Sequence, residues 1–135
     1  MGTVSGGNGL STITSASRWF RGTHGSFAEI TAQVATALRG KTFNNFDDFR
    51  GAFWKAVAGD ADLASHFGKA NLTLMQKGLA PIAPGAQHYG KIKSYVLHHR
   101  NPIHNGGDVY NLDNLLIVSP KYHQSILYPA FHFGN

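Results

Sequence analysis

A chain of 135 residues with 42% hydrophobic and 12% aromatic content is long enough to enclose one hydrophobic core and is globular in composition. It contains no cysteine, which excludes disulfides and thiolate metal sites and leaves His, Asp, Glu or Asn to build any metal centre. No apolar run approaches the roughly 18–20 residues a membrane-spanning helix needs, no signal peptide is visible, and a net charge of +5 favours a polyanionic partner.

In chain order, Met1 to Thr14 is rich in Gly, Ser and Thr and carries no charged side chain. It reads as a flexible lead-in or linker over residues 1–17, with the folded domain over residues 18–135. Ser26-Phe27-Ala28-Glu29 has capping-box spacing, and Ile30, Val34 and Leu38 follow at helical intervals with Gly40 as the stop. Asn45 or Asp47 starts a second helix, whose Phe49, Phe53 and Val57 share one face and which Gly59 ends. Short helices are expected over Asp60 to Phe67 and Asn71 to Lys77, with Gly78 as the C-terminal stop.

Leu79 to Gly90 contains Pro81, Pro84, Gly85 and Gly90 and reads as a loop. Ser94 to Leu97 and Leu115 to Val118 are β-like, separated by a turn-rich stretch with Asn105-Gly106-Gly107. Ser119-Pro120 supplies an N-cap and a first-turn proline, so Lys121 to Leu127 is expected to be helical. The expected fold class is α+β: a helical N-terminal half, then strand, long loop, strand and helix.

Charge and histidine concentrate in that C-terminal part. Between Leu63 and Gly107 there is no Asp or Glu, whereas Lys69, Lys77, Lys91, Lys93 and Arg100 fall there. Of the eight histidines, His98, His99, His104 and His123 lie close together, with His132 just beyond. Phosphates bind through Lys and Arg, so a basic stretch running into a histidine cluster suits phosphodiester chemistry. Side chains alternate along a strand, so His98 and His99 point to opposite faces. One can hold a metal while the other faces a water, and His123, in the first turn of the last helix, can share the metal with His98. A Lewis acid, a base and an ordered scaffold are what phosphodiester hydrolysis requires.

Tyr95-Val96-Leu97-His98-His99-Arg100-Asn101-Pro102-Ile103, Gly107 to Asn114 and Pro120-Lys121-Tyr122-His123 together resemble the DNase domain of nuclease colicins and S-type pyocins. Upstream, Lys41 to Arg50 and Phe53-Trp54 are similar to the family's helical half, so the resemblance covers roughly residues 18–126. It implies a C-terminal ββα-metal motif of the His-Asn-His (HNH) type and a metal-dependent, non-specific DNA endonuclease. By this resemblance His99 would be the general base, His98 and His123 metal ligands, and Asn114 the residue whose amide steadies the loop and fixes the orientation of His99. Lys91, Lys93 and Lys121 are candidate phosphate contacts by sequence proximity. One divalent ion is implied: Mg²⁺, Mn²⁺, Ni²⁺ or Zn²⁺.

Two departures stand out. The family commonly has a second histidine four residues after the helical one, where this chain has Leu127. His132 becomes the third ligand if the chain turns back after Pro129; otherwise water or His104 takes the position. The family also usually carries an acidic residue before the Leu-His-His triplet, where this chain has Val96.

The implied partners are double-stranded DNA and a cognate acidic immunity protein seated around Lys69 to Lys93. The implied setting is a toxin domain, from a pyocin or a type VI or contact-dependent effector, that leaves its producer and acts in a competitor's cytoplasm. The alternatives are a catalytically degenerate HNH-fold binding module, an RNA-cleaving toxin and a site-specific HNH nuclease.

Overall fold

A computed structural model describes residues 1–101 and 108–133, with side chains described up to residue 126. Its elements are β1 (Gly2–Thr3), β2 (Phe20–Arg21), β3 (Phe27–Glu29), α1 (Ala32–Leu38), β4 (Thr42–Phe43), α2 (Phe46–Gly59), α3 (Ala61–Ala64), α4 (Lys69–Gln76), β5 (Val96–His99), β6 (Leu115–Val118) and α5 (Pro120–Phe133). Single 3-10 turns occur at Gly85–Gln87 and Leu112–Asn114.

The first helix begins later than the capping-box spacing predicts. Phe27–Glu29 is a strand, antiparallel to β6, with Ala28 opposite Ile117. Thr31 is the true cap, its hydroxyl accepting the amide of Val34. A local Ser-x-x-Glu pattern cannot anticipate a partner strand nearly ninety residues away. Ala28 and Ile117 are both fully buried, and that tertiary pairing overrides the local signal.

The second helix matches its reading. Asn45 caps it by accepting from Asp48, and Asp47 and Asp48 sit in the first turn, where the positive end of the helix dipole favours them. Phe49, Phe53, Trp54 and Val57 form its buried face. Asp60 caps α3 through the amide of Leu63. At the end of α4, Gly78 adopts φ +84° while Leu79 and Gly78 donate to the carbonyls of Leu74 and Met75, a Schellman ending.

Four strands pair in the order β2-β3-β6-β5, each antiparallel to its neighbour. Strand β6 lies inside this sheet, and all four of its residues are buried, as its uninterrupted Leu-Leu-Ile-Val run predicts. The N-terminal half is therefore helical in part only: it also contributes β2 and β3 to the sheet that carries the histidines.

The N-terminal segment differs from the expected lead-in. Strand β1 pairs with β4, and Val4 is only 2% exposed in the core. Ser5 exchanges backbone hydrogen bonds with Tyr110 and Leu112, and Arg39 donates to the carbonyls of Gly6 and Gly7. A segment poor in side chains packs here through its backbone, which composition does not register. Residues 2–7 are thus packed into the fold and do not form a free lead-in. Asn105-Gly106-Gly107 and His104 lie outside the described residues.

Candidate active site

Strand β5 aims its two histidines to opposite sides, as alternation requires. On one side His98 meets His123 of α5, their ring centres 5.1 Å apart and their planes at 71°. On the other, His99 packs against the ring of Phe46 at 4.9 Å, and its Nε2 lies 3.0 Å from the carbonyl oxygen of Val109. A carbonyl can only accept, so Nε2 carries a proton, and it is Nδ1 whose lone pair is available in the neutral ring.

Position in α5 follows from Ser119. Its hydroxyl accepts the amide of Tyr122, and its carbonyl accepts the amide of His123. The ring of Phe27 stacks on Tyr122 at 5.5 Å, seating the first turn of the helix on β3. His123 thereby faces the strand that bears His98.

Asn114 closes the loop between β5 and β6. Its Oδ1 accepts the amide of Asn101 at 2.8 Å, and its Nδ2 donates to the carbonyls of Asn101 and Asp108, both at 3.1 Å. Its own carbonyl accepts the amide of Arg100. One side chain thus ties Asn101 to Asp108, and Asp108 directly precedes the residue whose carbonyl holds His99.

Both paired imidazoles are pushed toward the neutral form. The His98 pKa is lowered from its ordinary value of 6.5 by burial first, then by the positive charges of His123, His99 and Arg100. His123 is lowered by burial. Neutral imidazoles offer lone pairs, which is what a borderline divalent cation binds. Among the described residues no group of three or more His, Asp or Glu converges on one point. The facing pair thus supplies two nitrogen donors of the kind such a cation takes.

Of the other expected residues, Lys91, Lys93 and Lys121 are all exposed, the first two just before β5 and the third in the first turn of α5. Helix α5 continues through Pro129 to Phe133 instead of turning back, and the side chain of His132 lies outside the described residues. Two contributors escaped the sequence reading. Phe46, taken as part of the helical half, stacks on His99, and the Val109 carbonyl orients it. Only the Phe-Asp-Asp-Phe start of α2 hints at the first, and a backbone carbonyl leaves no trace in sequence.

Residues 2–128 match the family model described as Colicin/Pyocin-S2, DNase domain. Colicin-E8 of Escherichia coli is 44% identical over 101 residues, covering 75% of this chain and 49% of colicin-E8. Pyocin-S2 of Pseudomonas aeruginosa is 43% identical over 102 residues, 76% of this chain and 15% of that protein. The chain thus spans about half, or less, of the curated relatives it matches. Among solved structures, the pyocin AP41 DNase–immunity complex superposes with a TM-score of 0.84 at 36% identity, covering 95% of this chain and 98% of that one. The mutant nuclease domain of pyocin S8 with its cognate immunity protein gives 0.81 at 37% identity, covering 92% and 97%.

Proposed function

The chain belongs to the colicin and pyocin DNase domain family, and from that premise we propose that it is an HNH endonuclease that hydrolyses DNA with a histidine base beside a histidine-held divalent cation. The observation that carries this reading is the division of labour on β5: His98 faces His123, while His99 is oriented separately by Val109 and Phe46.

His98 and His123 would hold the cation, with water or phosphate oxygen completing its shell. When bound, the cation supplies Lewis acidity to the scissile phosphate and to the departing 3′ oxygen. Nδ1 of His99 takes a proton from the attacking water as the water oxygen bonds to phosphorus and the bond to the 3′ oxygen breaks. The Val109 carbonyl stabilises the imidazolium that forms. Asn114 holds Asp108, and so the adjoining Val109 carbonyl, in place. Lys91, Lys93 and Lys121 would bind flanking phosphates, contacts that position DNA without reading its bases.

The natural setting on this reading is the cytotoxic domain of an antibacterial toxin, delivered from its producer into a competitor's cytoplasm. The immunity proteins in the related structures support a cognate immunity partner here, and the net charge of +5 favours an acidic one. The exposed Leu79, Ile82, Tyr89 and Ile92 are interspersed along the chain with the exposed Lys77, Lys91 and Lys93, a mix of apolar and basic side chains suited to such a partner. No described helix is long and apolar enough to cross a membrane.

Plasmid nicking tests the proposal. The wild type should nick in Mg²⁺, Mn²⁺, Ni²⁺ or Zn²⁺ and stop in EDTA, and His99→Ala should abolish cleavage while leaving the circular dichroism spectrum intact. A folded wild type inactive with every metal would instead make this a binding module. Faster digestion of tRNA than of DNA would make it an RNase.

A further inference from the structure

The loop between α4 and β5 reaches the candidate metal site through one buried hydrogen bond. Gln87, at the end of the Gly85–Gln87 turn, is 5% exposed, and Ser119 is fully buried. The Ser119 hydroxyl donates to Oε1 of Gln87 at 2.7 Å, across 32 residues of sequence. A hydroxyl has one proton and two lone pairs. Spending the proton on Gln87 turns a lone pair toward the amide of Tyr122, which donates to it at 3.0 Å. The Ser119 amide donates to Ser26, and its carbonyl accepts the amide of His123. Every polar group of Ser119 is therefore engaged, and its single rotatable one is set by Gln87.

Gln87 is itself braced. Its amide donates to Pro84, the amide of His88 donates to Gly85, and the His88 ring meets the carbonyl of Ala83. An apolar side chain would fill the same space. What the amide adds is direction, since Ser119 and Pro120 suffice to start a helix without it.

We propose that Gln87 is a positioning residue for His123: by orienting the Ser119 hydroxyl it fixes the first turn of α5 in the attitude in which His123 meets His98. The proposal rests on the reading that His98 and His123 hold a divalent cation. Ligand distances tolerate only about 0.2 Å, so a small swing of the first turn is enough to weaken binding.

Ni²⁺ titration calorimetry on the full metal-free chain tests it, with Gln87→Met, Gln87→Glu, Ser119→Ala and the Met/Ala double variant. Gln87→Met keeps volume but loses the acceptor, and should weaken Ni²⁺ by about tenfold, the low end of what loss of an outer hydrogen bond around a ligand costs. Gln87→Glu keeps an acceptor for the hydroxyl and should bind near the wild-type level. In the Ser119→Ala background Gln87→Met should have no further effect, because the path is already cut. Hydrogen exchange at the amide of Tyr122 in the metal-free protein should quicken in Gln87→Met as it does in Ser119→Ala, and stay at the wild-type rate in Gln87→Glu.

Wild-type affinity in Gln87→Met, or an equal loss in both backgrounds, overturns the proposal while leaving the metal site standing. A wild type that takes up no Ni²⁺, or whose uptake ignores His98→Ala, removes the metal site itself. If Gln87→Met is too unstable to purify, Gln87→Asn, one methylene short of Ser119, carries the same comparison.

Discussion

Asn114→Ala separates the loop's role in catalysis from its role in stability. The side chain makes three hydrogen bonds, at 2.8, 3.1 and 3.1 Å, all near the surface. Each is worth about 0.5–1.5 kcal/mol net, and exposure puts these below the middle of that range, at about 0.7 kcal/mol each. The loss should total about 2 kcal/mol, which for a chain of this size lowers the melting temperature by about 8 °C. Activity should fall further than stability. Without the grip on Asp108 the adjoining Val109 carbonyl is free to move, and a misplacement of about 1 Å at a reacting group costs about 100-fold in rate. Thermal melts followed by circular dichroism give the first quantity, and plasmid nicking well below the melting point gives the second. The loss should appear in kcat, with KM little changed, since no phosphate contact is removed. Asn114→Asp keeps the acceptor for Asn101 but sets a carboxylate against two carbonyls, and should be no better than alanine. A variant that melts about 8 °C lower yet nicks at the wild-type rate would refute the link from Asn114 to His99.

In the metal-free protein, His98 and His123 have pKa values below the ordinary 6.5, so the unfolded chain binds more protons than the folded one as pH falls below that value. Their contribution is present above about pH 6.5 and lost on acidification below it; denaturant melts from pH 7.5 to 5 should show this, and His98→Ala should reduce it. Gly6→Ala should destabilise by about 2 kcal/mol or more, because left-handed backbone is costly for alanine and its Cβ would meet Oδ1 of Asn111 at 2.1 Å with φ at +72°. Gly9→Ala, with φ +79° but open space, should cost only the backbone part, about 1 kcal/mol; equal melting points for the two would show that the N-terminal packing contributes nothing. Position 127 lies one helical turn after His123, so Leu127→His should tighten Ni²⁺ or Zn²⁺ binding measured by calorimetry. Unchanged affinity would mean that this turn of α5 does not face the ion.

What was legible in the sequence was what local chemistry sets. Asn45 and the four-residue spacing of Phe49, Phe53 and Val57 specify α2 without tertiary help, and Ser119-Pro120 specifies the start of α5. The His98–His99 alternation follows from strand geometry alone, and the structure places the two on separate sides. Long-range pairing was not legible. Ser26 to Glu29 carries a helix-start pattern but becomes a strand because β6 offers it a buried edge. Gly2 to Gly7 has no side-chain pattern to read, and its place in the fold depends on carbonyls and amides of Tyr110 and Leu112. Gln87 looks like any loop glutamine until Ser119, far along the chain, arrives beside it.

The antiparallel register that sets Leu97 opposite Ile117 and His98 opposite Leu116 decides more than which bonds form. Because β6 is apolar and buried at all four positions, it would accept β5 shifted by one place almost as well. Such a slip would carry His99 round to the side of His123 and leave Arg100 where the base belongs. The parity of β5 is held instead by its own Leu97 in the core and by Asn114 gripping Asn101 just past the strand. Loss of both anchors together would therefore invert the two imidazoles' duties while leaving the sheet intact.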